Sequence, residues 1–347
     1  MTGLNKLEEL SDREKTILRC IIEDYIHTAN PIGSRYVSKK VDIKLSPASI
    51  RNVMSDLEEL NLLTHNHTSG GRVPTDKGYR YFVNELMESE MMIPIEKEIL
   101  QNQINEADLV KEEIYKEVSK ILGRLSKEIS IVSQPYLSLG ILEKLELVNL
   151  SSTKLLVVVS IRSGLVRTLL FDADSEIQRD KLEKVTRILN EKLAGLTLRE
   201  IRNTFKSRIG DLQYDSKEII KVFIDSIDKI FLDEKDGVTL YIGGTTEILS
   251  QPEFDDTDNY RNIIELTGEK GIVVHVLNNL PEDENGISVS IGSENFDEKL
   301  RNYSIVSTSY TVGDVKGKIA LIGPKRMNYS KMISMLEFTS KIITDKI

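Results

Sequence analysis

SPASIRNVMSDLEELNLL, Ser46 to Leu63, carries the signals of one amphipathic helix with a polar outer face. Ser46 is a strong N-cap residue, and Pro47 suits the first helical position, where a missing N–H costs nothing. Ile50, Val53, Met54, Leu57 and Leu60 recur at helical spacing and make one apolar stripe. At about 100° per residue, Ala48, Arg51, Asn52 and Ser55 then point the other way. That side offers a guanidinium and a carboxamide, both able to pair with base edges, among residues small enough for close approach. An amphipathic helix alone is more often a packing element. Its neighbours decide between the two readings.

Upstream, Ser11 and Glu14 make a capping box, and the helix after them buries Ile17, Leu18, Ile21, Ile22 and Tyr25 before Asn30-Pro31. A short helix from about Gly33 to Val41 turns Tyr36, Val37 and Val41 inward, and Asp42 to Leu45 is a tight connection. Helix, short helix, turn and longer helix is helix-turn-helix order, with the third helix placed for a major groove. Downstream, Leu62 to His65 and Arg72 to Pro74 read as a hairpin around a polar loop, which makes a wing. Its tip carries His65, His67 and Arg72, with Ser69, Gly70 and Gly71 allowing close approach to a phosphate backbone. Two histidines without a third nearby ligand are a poor metal site. Thr75 then caps a helix that covers the module's core with Tyr79, Tyr81, Phe82 and Leu86.

The chain has 347 residues, more than one hydrophobic core usually serves, so two or three domains are expected. It is 40% hydrophobic and 29% charged, the composition of an ordinary globular protein. The start, MTGLNKLEELSDREK, lacks a signal-peptide core, and the longest apolar runs, such as Leu155 to Val159, fall far short of a membrane span. With one cysteine, Cys20, no intramolecular disulfide is possible, which fits a reducing cytoplasm and no membrane partner. The net charge is −9, yet Gly33 to Arg80 holds eight Lys/Arg against five Asp/Glu. A basic segment on an acidic remainder is the pattern of one module meeting phosphate. Lys39, Lys40 and Lys44 flank the reading helix and, with His67 and Arg72, are the expected phosphate contacts.

The run PIGSRYVSKKVDIKLSPASIRNVMSDLEELNLL, with HTSGGRVPTDKGYRYFVNELM behind it, resembles the winged helix of the bacterial heat-inducible transcription repressor HrcA family. GKIALIGPKRMNYSKMI, Gly317 to Ile333, resembles that family's C-terminal motif, and IGSEN at Ile291 to Asn295 also fits. The likeness spans essentially the whole chain. It implies repression of chaperone operons through an inverted-repeat operator called CIRCE, with the chaperonin GroEL supporting the active form. It also implies an α+β multidomain fold: a winged helix-turn-helix over 1–90, then a GAF-like α/β sandwich over 91–141 and 238–347. A dimerising domain inserted over 142–237 interrupts that sandwich. The expected partners are double-stranded DNA, a second copy of the chain and GroEL.

The residues beyond the first module agree in outline. Met91 to Pro94 reads as a linker, and a long charged helix begins near Ile95. Ile114, Val118, Ile121, Leu122, Leu125 and Ile129 form its stripe, suited to a sheet or to a partner helix. Leu145–Leu150, Leu155–Ile161 and Leu165–Phe171 read as a meander, followed by helices over Asp180–Leu193, Leu198–Phe205 and Ser216–Leu232. Val185, Ile188, Leu189 and Leu193 either meet their own copy or pack on the meander. Strands follow at Val238–Ile242, Ile272–Leu277, Ile287–Ile291, Tyr303–Thr311 and Lys318–Ile322, with helices over Thr257–Thr267 and after Asn328.

Several features imitate chemistry. Gly313 to Lys318 resembles a P-loop, but three residues separate its glycines and Ile319 stands where Mg²⁺ needs a hydroxyl. Gly243-Gly244-Thr245 is either a tight turn or an anion nest. Lys325-Arg326 either meets a ligand or makes an interdomain contact, and Asp255 to Asp258 lacks EF-hand spacing. His275 reads as a core histidine. No nucleophile–base pair emerges, so the chain reads as no enzyme and needs no cofactor. Two rival readings stay open: a GAF-like body that binds a small effector, and an enzyme that holds a nucleotide at Gly243-Gly244.

Overall fold

The computed structural model describes residues 10–42, 45–65, 70–106, 111–151, 153–172, 178–209, 217–231, 239–269 and 286–346, with isolated residues between 269 and 286. The chain forms two compact units. The first comprises Met1–Ile131, Ile242–Thr308 and Ala320–Thr339; the second comprises Val132–Tyr241, Ser309–Ile319 and Ser340–Ile347.

The first unit begins with α1 (Asp12–Thr28), α2 (Ser34–Lys40) and α3 (Pro47–Glu59). The hairpin β1 (Leu63–His65) and β2 (Arg72–Pro74) follows, paired from Leu63↔Pro74 to His65↔Arg72. Both halves of the Ser11/Glu14 capping box are formed. Ile17, Leu18, Ile21 and Ile22 meet Val37, Ile50 and Leu57 in a sealed core. Helix α4 (Asp76–Tyr81) runs into one π-helical turn, Phe82–Leu86. Tyr36 departs from expectation: it is 47% exposed, and its hydroxyl donates to Asp24 at 3.2 Å.

The single charged helix expected after residue 95 is two helices, α5 (Pro94–Glu106) and α6 (Lys111–Ser126). Ile114, Val118, Ile121 and Leu122 of α6 are buried. Ile129, read as the last rung of that stripe, instead opens a strand, β3 (Ile129–Ser133), after Lys127 breaks the helix at φ 61°. The stretch Met91–Pro94 is no free linker. Met92 is buried and its N–H donates to Ser334 Oγ at 3.1 Å.

The meander is present as β4 (Leu142–Ser151), β5 (Lys154–Ile161) and β6 (Val166–Asp172), antiparallel in that order. Helices α7 (Arg179–Leu193), α8 (Leu198–Ile209), α9 (Lys217–Asp225) and α10 (Ile227–Phe231) follow. The last pair divides at Ser226 what the sequence presents as one helix. Leu182, Val185, Leu189 and Leu193 are buried, and Asn190 of the same helix bonds both backbone groups of Leu145 on β4. The α7 stripe therefore packs on the meander. The sheet's other face stays open: Val148, Leu150, Val166 and Leu170 are 42%, 56%, 59% and 55% exposed.

A five-stranded sheet has the order β7-β3-β10-β9-β8, where β7 is Leu240–Gly243, β8 Ile287–Ile291, β9 Tyr303–Val312 and β10 Val315–Pro324. Helix α11 spans Thr257–Gly268 and α12 Tyr329–Lys346. The P-loop imitation is the turn between β9 and β10. Asp256, of the acidic run, is the N-cap of α11 and accepts from Asn259 N. Most of the strand expected over Ile272–Leu277, His275 included, lies outside the described residues, and the two residues described there, Val273 and Leu277, are helical instead. No helix among the described residues is long and apolar enough to cross a membrane.

Candidate nucleic-acid interface

Helix α3 presents its face as the sequence predicts. Ser46 Oγ accepts the Ser49 N–H at 3.1 Å, fixing the first turn, and Ile50, Met54 and Leu57 anchor the inner side. Ser46, Ala48, Arg51 and Asn52 are exposed and Ser55 is half-buried. The first turn carries no acidic residue. Pro47 has no N–H and those of Ser49 and Ile50 bond Ser46, so what this end leaves open to an anion is the partial positive charge of the helix start.

The cations around this helix separate into two sets. Lys39 is exposed at the end of α2, and Arg35, which the sequence reading passed over, is exposed on the same helix. Lys40 is different: its ammonium pairs with Asp24, a carboxylate 4% exposed on α1 that Tyr36 and Cys20 Sγ also approach. Burial and then the hydrogen bond to Asp24 push the Cys20 thiol up to about 12, so it stays protonated and inert. Lys44 and His67 lie outside the described residues.

Arg72 also differs from expectation. It is 7% exposed, with its guanidinium 2.9 Å from Glu58 Oε2 on α3 and 2.8 Å from His65 Nδ1 on the opposite wing strand. Its own backbone exchanges two hydrogen bonds with Ile32, at 3.0 and 2.9 Å. A guanidinium only donates, so the ring nitrogen facing it must be the acceptor. Arg72 is therefore a strut between wing and reading helix, and Glu58 is the partner that sequence reasoning missed. Gly71 does not serve a close phosphate approach either. A Cβ there would lie 2.8 Å from Pro31, so the glycine lets the wing pack on the loop before α2.

Elsewhere the imitations of chemistry resolve into packing. Gly244 has φ +79°, and a Cβ on it would sit 1.9 Å from Glu128 O, so the Gly243-Gly244 turn is filled by the protein's own backbone. Glu128 is buried, and burial holds its carboxyl well above the usual range, only partly offset by Gln251 and Arg326. No group of three His, Cys, Asp or Glu among the described residues could hold a metal ion.

Comparison with known proteins meets this geometry. The profile of the winged helix-turn-helix DNA-binding domain of the HrcA transcription repressors matches residues 9–88. The profile of the HrcA C-terminal domain matches residues 112–333. The heat-inducible transcription repressor HrcA of Chlorobium phaeobacteroides is 37% identical over 341 residues, covering 95% of this chain and 96% of that protein. Its namesakes from Prosthecochloris aestuarii and Syntrophobacter fumaroxidans are 35% and 31% identical, covering 96% and 97% of this chain and the same shares of their own. Among solved structures, a hypothetical protein at 2.2 Å resolution superposes with a TM-score of 0.60 and 22% identity, over 97% of this chain and 98% of that one. That likeness concerns the fold alone.

Proposed function

The chain belongs to the HrcA family of heat-inducible transcription repressors, and from that premise we propose that it silences chaperone operons by gripping a CIRCE-type inverted repeat as a homodimer. The observation that carries the DNA reading is the open first turn of α3. Arg51 and Asn52 read base edges there, with Ser46, Ala48 and Ser55 beside them. Lys39, joined by Lys44 and His67, neutralises phosphates, whereas Lys40 and Arg72 hold the module's shape. Footprinting on the organism's own chaperone promoters tests this. Protection confined to the inverted repeat is expected, and uniform coverage of any DNA would refute it.

The homodimer rests on the open face of β4–β6. Val148 lies opposite Leu156, and Leu156 opposite Leu170, so an apolar row crosses all three strands. A row of this kind is self-complementary under a twofold axis, which matches an inverted repeat. The body is of the GAF-like kind, interrupted by a dimerising insert at about 142–237; what supports the insert is that Val132–Tyr241 is the longest stretch of the second unit, which Ser309–Ile319 and Ser340–Ile347 complete. GroEL raises the fraction of active repressor. Each unit is assembled from three separated stretches of chain, a topology that folds slowly. Titrating chaperonin into a gel shift during refolding should increase active protein, and no increase under any folding condition would remove GroEL from the scheme.

A second reading, a small effector in the body, is favoured by one observation. A cleft of about 790 Å³ in the first unit is lined by Met87, Ile287, Val289, Phe296 and Ile333, with Arg80 and Glu294 at its polar side. A ligand there would raise thermal stability by RT ln(1 + [L]/Kd) in a metabolite screen.

A further inference from the structure

Two motifs far from the reading helix converge on α4, the last regular helix of the DNA-binding head. Asp76, at its first position, accepts from Lys325 Nζ at 2.6 Å and from the Ser293 N–H at 2.9 Å. Arg80, one turn on, donates Nε to Glu294 Oε1 at 2.8 Å and Nη2 to the Val289 carbonyl at 2.7 Å. Arg326, next to Lys325, donates to the Ile26 carbonyl of α1 at 3.0 Å and pairs with Glu253. The cradle is rigid on the body side. Asn295 is buried, donates to the carbonyls of Gly292, Leu300 and Tyr303, and accepts from Ser290 Oγ, which locks the IGSEN turn. Gly292 sits at φ +55°, and a Cβ on it would fall 2.3 Å from the Asp76 carboxylate. Only glycine leaves room for that carboxylate.

The head side is equally stiff. Thr75 accepts from the Gly78 N–H and donates to the Asn61 carbonyl just beyond α3. A Cβ on Gly78 would lie 2.1 Å from Leu62 O, so α4 abuts the start of the wing. Displacement of Asp76 therefore bears on Asn61 and Leu62, the link between α3 and the wing. The segment leaving the head is held as well, since Ser330 of α12 donates to Glu88 O at 2.8 Å and accepts from Glu90 N. Throughout this docking, Ser46, Ala48, Arg51 and Asn52 stay exposed. The contacts fix the head without covering what it presents.

We propose that Asp76 and Arg80 are positioning residues that clasp the DNA-reading head to β8, to the Gly292–Glu294 turn after it and to Lys325, so that α3 is offered in one fixed orientation. This rests on the reading of α3 as the DNA contact and of the protein as a homodimer. A head held in place engages the second half-site at high effective concentration, while a swinging head dilutes itself. The clasp thus acts on the whole inverted repeat and not on a single half-site.

The test uses the full chain in four forms: wild type, Asp76→Asn with Arg80→Ala, Gly292→Ala, and Arg80→Lys. Amide hydrogen exchange and affinity for DNA carrying one or two half-sites are measured on each. The double variant and Gly292→Ala should speed exchange at least tenfold over residues 76–86 and 289–294, leaving 17–22 and 50–57 as protected as before. Half-site affinity should stay within twofold, while whole-repeat affinity falls about tenfold. Arg80→Lys keeps a charge for Glu294 and should recover part of both effects. If Gly292→Ala does not fold, Glu294→Gln replaces it as the body-side variant, with the same expectations. Wild-type exchange in every variant overturns the clasp. Faster exchange with an unchanged ratio of whole-site to half-site affinity overturns the positioning role. A wild-type chain with no preference for two half-sites sinks the homodimer reading instead, and exchange alone then decides the clasp.

Discussion

Helix α3 and the three-stranded sheet β4–β6 are built alike and end in opposite chemistry. Each buries one face, α3 through Ile50, Met54 and Leu57, the sheet through Leu145, Val157 and Val159. The face α3 leaves open is small and polar, whereas the sheet leaves open Val148, Leu150, Val166 and Leu170. Water tolerates the first at no cost. It disfavours the second by roughly 25 cal/mol per Å² of apolar surface left wet. The two surfaces therefore ask for different partners: one for hydrogen bonds and charge, the other for an equally apolar cover.

Charging the sheet should break the contrast most severely. Leu156→Glu with Leu170→Glu puts two carboxylates on facing positions of β5 and β6. Sedimentation should then report a monomer, and affinity for the whole repeat should drop roughly 10²–10⁴-fold with half-site binding intact. A persistent dimer would show that the copies meet elsewhere. On α3, Arg51→Ala or Asn52→Ala should each cost about 1–3 kcal/mol on the operator and relax sequence preference. Equal weakening on operator and random DNA would reassign the residue to phosphate.

Smaller effects sort the cations near α3. Lys39→Ala should lower the slope of log K against log salt by about 0.9, the signature of a phosphate contact. Arg72→Ala and Glu58→Ala should each weaken binding by about 1 kcal/mol with the slope unchanged, because the wing loses its strut. Were Arg72 a phosphate contact restrained by Glu58, Glu58→Ala would tighten binding and steepen the slope. The smallest response concerns pH. Burial opposes ionisation of Asp76, but Lys325 and the Ser293 amide outweigh it and hold the carboxyl below its usual range. A depressed carboxylate contributes fully above its unfolded value and loses that contribution as pH falls through the folded one. The whole-site preference should accordingly stay flat from about pH 5 to 8. A decline within that window would assign the clasp to another group.

The head was legible because local signals agree there: an N-cap, a proline at the first position, and a 3.6-residue stripe all mark α3. Strand β3 was not. Ile129 follows Leu125 by four residues and continues the helical stripe, while the break comes from Lys127 in a left-handed conformation that side chains rarely adopt. Charge was legible as a count and not as availability. Asp24 lies sixteen residues from Lys40 and Glu58 fourteen from Arg72, so each pair exists only once α1 has packed with α2 and the wing with α3. That the open sheet, and not the α7 stripe, is the surface left for a partner is likewise tertiary. Alternation along β5 and β6 predicts two faces but cannot say which one the helices will cover.

The glycines of α6 and β7 carry a consequence in time. A Cβ on Gly123 would lie 2.3 Å from Gly244 N, and one on Gly243 would lie 2.2 Å from Ser119 O. Here helix and turn touch through bare backbone, so no other part of the chain can stand in. Ribosomes add about 5–20 residues per second, and the partner turn emerges about 120 residues after Gly123. For roughly 6–24 s at that pace, every nascent copy holds Ser119 and Gly123 of α6 without the turn they fit. Whatever guards this protein against aggregation during synthesis has that interval in which to act.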